Sequence, residues 1–213
     1  MVNFLFSGPE NAEAMLLFAH GAGAPMDNPW MNEMARGLGE RGIRTARFEF
    51  AYMASRRTSA GRKAVPRADL VKSEFLEAVA ALPTPGPCLF IGGKSMGGRV
   101  ASMVAEELYQ QQAIAGLVCF GYPFHPPDKP EQLRTAHLKD LTVPALICQG
   151  TRDPFGTREE VAGYALSPAI VLHWLEDGDH DFRPRKPSGL SFRDNLNSAM
   201  DKAAESIKAA IPV

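Results

Sequence analysis

The feature of this sequence that most constrains its fold is a short apolar run that ends in glycines around one serine. Residues Cys88–Gly92 (CLFIG) predict a buried strand, and the segment GKSMG follows at once at residues 93–97. A G-x-S-x-G pattern between a strand and a helix places its serine on a sharp turn, with the hydroxyl directed away from the sheet. The segment therefore predicts a nucleophile at Ser95. The alternative is a glycine-rich turn that only lets a helix pack closely on a strand.

The same residues resemble the end of a phosphate-binding loop, G-x-x-x-x-G-K-[ST]. That motif needs its first glycine at position 88, where this chain has Cys88. The intervening LFIG is typical of a strand rather than of a loop that holds phosphate. The spacing therefore disfavours a nucleotide site.

Apolar runs alternate with helical patterns along the chain, which predicts one α/β domain over residues 1–213. The predicted strands are Ala14–Ala19, Ile43–Phe50, Cys88–Gly92, Ile114–Gly121, Val143–Gly150 and Ala169–Leu175. The predicted helices are Pro29 to about Arg41, Ala68–Leu82, Gly97–Gln111, about Arg158–Leu166, and Phe192–Ala210. Continuous apolar strands are typical of a mostly parallel sheet with helices on both faces. Ligand chemistry in such sheets lies at the carboxyl ends of the strands.

A serine hydroxyl needs a base within hydrogen-bonding distance, and the chain has five histidines. His180 lies on a loop between the last predicted strand and the final helix, where such a base belongs. His173 lies inside an apolar strand, and His125 and His137 lie in or near a proline-rich loop. His20 opens a glycine turn and is interpreted as bracing it. We therefore predict His180 as the base.

The base needs an acid that fixes its tautomer and stabilises the imidazolium. Asp153 directly follows the predicted strand Val143–Gly150. Three aspartates lie closer to the histidine in sequence, at positions 177, 179 and 181, but a short local loop does not easily put a carboxylate behind its own ring. We predict Asp153 as the acid; the alternative is that it only caps the following turn.

Ester chemistry at Ser95 would create an oxyanion, which preorganised N–H groups stabilise. The backbone of Met96, at the start of the following helix, can supply one donor. The glycine turn that follows the first strand, residues 20–23, can supply another, and we predict the N–H of Ala22.

Five basic residues fall between Arg56 and Arg67. A solvated basic loop is one interpretation. The other is that Arg56, Arg57 and Arg62 hold a carboxylate or phosphate of the substrate, because they follow a strand end on the side of the predicted active site.

The composition limits the remaining possibilities. The formal net charge of −1 gives no overall attraction to nucleic acid or to a membrane. No apolar run is long enough to span a membrane, and the N-terminus lacks the basic region of a signal peptide. Three cysteines in apolar runs favour free, buried thiols in a reducing compartment. We expect a cytoplasmic monomer or homodimer that needs no cofactor and no metal.

Four motifs together resemble a known family: HGAG at residues 20–23, GKSMGG at 93–98, GTRD at 150–153 and GDH at 178–180. They resemble small α/β-hydrolases of the dienelactone-hydrolase-like kind, and in particular a compact group with a lysine before the serine. The order Ser95, Asp153, His180 is that of α/β-hydrolases. The resemblance implies an α/β-hydrolase fold, a Ser–Asp–His triad and an oxyanion hole with two donors. Dienelactone hydrolase itself has a cysteine nucleophile, so its substrate is not transferred to this chain.

The sequence thus predicts a serine hydrolase that cleaves a small or extended carboxylic ester or thioester through an acyl-enzyme. The segment from Gly121 to Val143 is too short for a helical cap domain, which predicts an open, shallow site without a large lid. The rival hypothesis is an α/β-hydrolase fold used as a non-enzymatic interaction scaffold.

Overall fold

The protein forms one seven-stranded, mostly parallel sheet. The computed structural model describes residues 2–58, 64–83 and 86–211. The strands are β1 (Leu5–Ser7), β2 (Ala14–Ala19), β3 (Arg44–Phe48), β4 (Cys88–Lys94), β5 (Gly116–Phe120), β6 (Ala145–Gly150) and β7 (Ile170–Leu175). Their order across the sheet is β1-β3-β2-β4-β5-β6-β7, and within the described part of the chain only the β1–β3 pairing is antiparallel.

Helices cover both faces of this sheet. They are α1 (Pro29–Glu40), α2 (Ala51–Thr58), α3 (Lys72–Ala80), α4 (Met96–Gln110), α5 (Arg158–Val161) and α6 (Phe192–Ala209). Short 3₁₀ turns lie at Ala68–Val71, Ala136–Leu138 and Lys186–Ser188. Apolar side chains of α2, α3 and α4 form one core with one face of the sheet. Those of α1 and α6 form a second core with the other face.

All six predicted strands are confirmed, most of them with ends shortened by one or two residues. The predicted helix Ala68–Leu82 begins as a 3₁₀ turn and becomes α-helical only at Lys72. The predicted helix from Arg158 ends at Val161 rather than Leu166, which makes it a single turn.

Two elements, β1 and α2, were not predicted from the sequence. β1 has only three residues at the edge of the sheet, too few for a period-two pattern to stand out. α2 includes Arg56 and Arg57, so part of the segment interpreted as a basic loop is helical. Its apolar contribution to the core is limited to Tyr52 and Met53, which is a weak helical signal.

The three cysteines differ in their burial. Cys119 and Cys148 are buried, as expected, whereas Cys88 at the start of β4 is only partly buried. Among the described residues, no helix is both long and apolar enough to cross a lipid bilayer. The chain between β5 and β6 forms loops and one 3₁₀ turn, so it builds no large cap over the carboxyl ends of the strands.

Candidate active site

Ser95 lies on a sharp turn between β4 and α4. Its φ of 51° and ψ of −117° place a non-glycine residue in a strained backbone region. The turn needs glycine at positions 93 and 97, because there is no room for a side chain at either one. A Cβ at Gly93 would lie 2.6 Å from the carbonyl oxygen of Ala19, and one at Gly97 would lie 2.6 Å from that oxygen and from the carbonyl oxygen of His20. The turn therefore exists only because both positions lack a side chain.

The turn brings Ser95 to the imidazole of His180. Ser95 Oγ and His180 Nε2 are 2.9 Å apart, and His180 Nδ1 and Asp153 Oδ2 are 2.8 Å apart. Because a carboxylate only accepts, Nδ1 carries the proton. Nε2 is then free to accept the hydrogen of the serine hydroxyl. The three residues predicted from sequence thus form one continuous series of hydrogen bonds.

Asp153 is fully buried and uses both carboxylate oxygens. Oδ1 accepts the backbone N–H of Phe155 at 2.9 Å, while Oδ2 bonds to His180. The cap interpretation and the acid interpretation of Asp153 therefore both describe its geometry.

The three aspartates near His180 in sequence point elsewhere. Asp177 forms ion pairs with Arg152 and Arg185. Asp179 accepts the backbone N–H groups of residues 181 and 183, and Asp181 pairs with Lys94. Their contacts shape the loop that carries His180 and leave the position behind its ring to Asp153.

The other histidines have partners away from Ser95. His173 bonds to Ser198 at 2.8 Å, and His137 bonds to Ser102 at 2.8 Å. His125 is buried and lies 3.5 Å from the carboxylate of Glu160.

The glycine turn after β2 faces Ser95, and His20 holds it in place. His20 Nδ1 donates to the carbonyl of Gly21 at 2.7 Å, and its Nε2 accepts the N–H of Phe50 at 3.2 Å. Burial lowers the pKa of His20, which keeps this ring neutral. Ala22 lines the same cavity as Ser95. Among the described residues, no acceptor is bonded to the N–H of Ala22 or Met96, so both donors are available.

Three further side chains support the series of hydrogen bonds, and their roles were not predicted from the sequence. Gln149 donates to Asp153 Oδ2 at 3.0 Å from the buried end of β6. The ring of Phe155 lies 4.4 Å from that of His180, centroid to centroid. Lys94 donates to the backbone carbonyl of His180 at 2.6 Å. A polar residue within the apolar strand VPALICQG was the available signal for Gln149. Lys94 was noted only as the lysine before the serine, with no role assigned to it, and Phe155 carried no signal.

The site opens into a cavity of about 380 Å³. Ala22, Asn28, Trp30, Phe155 and Asp181 are among the residues that line it beside Ser95 and His180. A larger cavity of about 1020 Å³ lies at the opposite ends of the strands and contains none of the three bonded side chains. The chemistry of the site therefore belongs to the smaller cavity.

The basic segment does not present three free cations to this cavity. Arg57 forms ion pairs with Asp27 and Glu49, each at 2.7 Å. The guanidinium of Arg56 lies 5.2 Å from the ring centre of Tyr52, and Arg62 lies outside the described residues. The substrate-binding role of these arginines stays a prediction, and the pairing of Arg57 favours a structural role for that residue.

Solved structures with the same fold include several hydrolases. Est1E from Butyrivibrio proteoclasticus, solved with ferulic acid, aligns with a TM-score of 0.75 and 15% identity over 97% of this chain and 96% of that one. A dienelactone hydrolase from Anabaena variabilis aligns with a TM-score of 0.72 and 21% identity over 97% and 91% of the two chains. A serine hydrolase without a lid from Xanthomonas campestris aligns with a TM-score of 0.70 and 18% identity over 100% and 90%.

These likenesses concern the fold, since every identity is below one quarter. The family is shown by sequence: the model of the alpha/beta hydrolase domain matches residues 12–208. That range contains β2 to β7 and all three residues of the hydrogen-bonded series. The chain belongs to the α/β-hydrolase domain family.

Proposed function

We propose that this protein is a serine hydrolase that cleaves a carboxylic ester or thioester through an acyl-enzyme on Ser95. The observation that carries the proposal is the series of hydrogen bonds from Asp153 through His180 to Ser95. A serine on a strained turn, an imidazole bonded to it and a buried carboxylate behind the imidazole are the three parts of the acyl-transfer mechanism.

In the first half of the reaction, His180 Nε2 takes the hydroxyl proton while Ser95 Oγ attacks the carbonyl carbon. The oxyanion of the tetrahedral intermediate accepts hydrogen bonds from the N–H groups of Met96 and Ala22. The intermediate collapses as His180 returns the proton to the leaving alcohol or thiol. In the second half, His180 deprotonates a water that attacks the acyl-enzyme, and Ser95 recovers its proton as the acid leaves.

The shape of the site supports small or extended substrates. The segment between β5 and β6 forms no cap, and the cavity beside Ser95 is only about 380 Å³. A long acyl chain would lie largely on the surface of such a site and gain little from burial. We therefore propose that short acyl chains are turned over faster than long ones.

The first test is covalent labelling with a fluorophosphonate probe together with hydrolysis of a short-chain nitrophenyl ester. Wild type is expected to label and turn over, whereas Ser95→Ala does neither. Ser188→Ala is the matched control, because Ser188 lies in the 3₁₀ turn Lys186–Ser188 and is not part of the site. A folded wild type that neither labels nor hydrolyses would contradict the proposal and leave the interaction scaffold as the function to test.

The proposed anion-binding role of the basic segment has a separate test. Arg57→Glu reverses one of the three predicted cations, and hydrolysis of acidic and neutral esters is then compared. A substrate anchor requires a selective loss on the acidic ester. Equal losses on both esters would assign Arg57 to its ion pairs with Asp27 and Glu49 alone.

A further inference from the structure

Lys94 directly precedes Ser95, and its side chain turns towards the loop that carries His180. The ammonium donates to the backbone carbonyl of His180 at 2.6 Å. It lies 3.3 Å from Oδ1 of Asp181. The rings of Trp30 and Phe182 lie beside it, with centroids 5.4 and 5.8 Å from Nζ.

A charge is energetically unfavourable at this position, because Lys94 is only 7% exposed. An ammonium removed from water is tolerated when hydrogen bonds and opposite charges replace its hydration. Burial lowers the pKa of Lys94, while the carboxylates of Asp181, Asp153 and Asp179 oppose that shift. An apolar residue would fill the same volume without that cost. The amine therefore has a role that packing does not explain.

The bonds around His180 indicate that role. Other hydrogen bonds among the described residues fix the two ends of its loop: the carbonyl of Gly178 accepts from the backbone of Arg152, and that of Phe182 accepts from Asn195. Between these ends, the carbonyl of His180 is bonded to Lys94.

We propose that Lys94 is a positioning residue that sets the distance between the nucleophile and the base. Lys94 and Ser95 share a peptide unit, and the lysine amine is bonded to the backbone of His180. Ser95 and His180 are thus linked in two ways. One link is the hydrogen bond of 2.9 Å between Oγ and Nε2, and the other runs through the buried side chain of Lys94 to the backbone of His180. The inference rests on the proposed function, because positioning has a measurable effect only if Ser95 and His180 react.

Removing the amine of Lys94 is expected to slow the chemical step rather than weaken substrate binding. Lys94→Met keeps the apolar stem between the two rings and removes the donor. A misplacement of about 1 Å between reacting groups costs up to about 100-fold in rate. We expect kcat on a short-chain nitrophenyl ester to fall by about 10- to 100-fold, with KM near the wild-type value. The rate of fluorophosphonate labelling falls by a similar factor.

A second variant, with a weaker donor, is expected to lower kcat by a smaller amount. Lys94→Gln keeps an N–H donor but places it one bond closer to the backbone, so it reaches the His180 carbonyl less well. It is expected to retain more kcat than Lys94→Met. Lys202→Met is the matched control, because Lys202 pairs with Glu205 on α6. Folding of every variant is checked by thermal unfolding, and rates are normalised to the folded fraction.

The outcomes separate the two proposals. A labelled wild type beside a folded Lys94→Met or Lys94→Gln with wild-type kcat overturns the positioning role alone. A lowered melting temperature without any change in kcat also overturns it, because it assigns Lys94 to stability only. An unlabelled and inactive wild type overturns the proposed function, and this inference with it.

Discussion

Gln149 donates its side-chain amide to Asp153 Oδ2 at 3.0 Å, the same oxygen that bonds to His180. The amide also bonds to the carbonyls of Tyr122 and Gly156, and its oxygen accepts the N–H of Tyr122. One buried glutamine at the end of β6 therefore joins the loops after β5 and β6 and holds the carboxylate behind the imidazole.

Gln149→Met removes this junction while keeping the volume. Buried backbone groups at Tyr122 and Gly156 lose their partner, so we expect the free energy of unfolding to fall by about 3 kcal/mol. kcat falls as well, because Asp153 loses one of its supports. Urea unfolding and ester hydrolysis measure the two effects. Gln110→Met on exposed α4 surface is the control, with a change within about 0.5 kcal/mol; an equal loss there would contradict this account.

Asp153→Asn tests the acid directly. An amide nitrogen at Oδ2 would donate to His180 and favour the tautomer with its proton on Nε2, which cannot accept from Ser95. We expect kcat to fall by about 10⁴-fold while the protein stays folded. Asp201→Asn provides the comparison, since Asp201 is exposed on α6 and pairs with Arg41. If both variants lose the same activity, Asp153 has no special role.

Gly97→Ala tests the space that the serine turn requires. The new Cβ would lie 2.6 Å from two backbone carbonyl oxygens, which cannot rotate away. We expect a loss of at least about 1–3 kcal/mol in stability and a loss of labelling at Ser95. Gly163→Ala is matched to it, because the nearest atom to its Cβ lies at an ordinary 3.5 Å. Thermal unfolding of the two variants side by side decides the point, and unchanged stability in Gly97→Ala would refute it.

The pH dependence of stability involves His137. Burial and the nearby charges of Arg99 and Lys72 lower its pKa from 6.5 to about 4. The folded state therefore favours the neutral ring, and its contribution is fully present above pH 6.5. It is lost as pH falls from 6.5 towards 4, because the unfolded chain binds the proton first. We expect the free energy of unfolding to fall by about 2 kcal/mol over this pH range because of His137, after allowance for its partial exposure.

His137→Gln removes the titration but keeps a polar partner for Ser102. The slope of melting temperature against pH between 6.5 and 4 should become shallower in this variant than in wild type. Some slope remains, because burial also lowers the pKa of His20 and of His173. An identical slope in both proteins would show that His137 is not a source of acid sensitivity.

Much of this site could be predicted from sequence because its signals are local. The glycines at 93 and 97 are dictated by the turn that carries Ser95, and a turn is encoded by adjacent residues. Parallel strands carry their chemistry at one edge of the sheet, so Asp153 and His180 could be assigned from their places after β6 and β7. The structure brings all three within hydrogen-bonding distance.

The tertiary structure alone decided the rest. The helix α2 forms where the basic residues suggested a loop, because Tyr52 and Met53 pack into the core. Lys94 bonds to a residue 86 positions away, and no local pattern records such a partner. Sequence thus determined which groups carry the proposed chemistry, since turns and strand periods are short-range. Only the packed fold decided what holds those groups in place, since buried charges and amides find partners across the sheet.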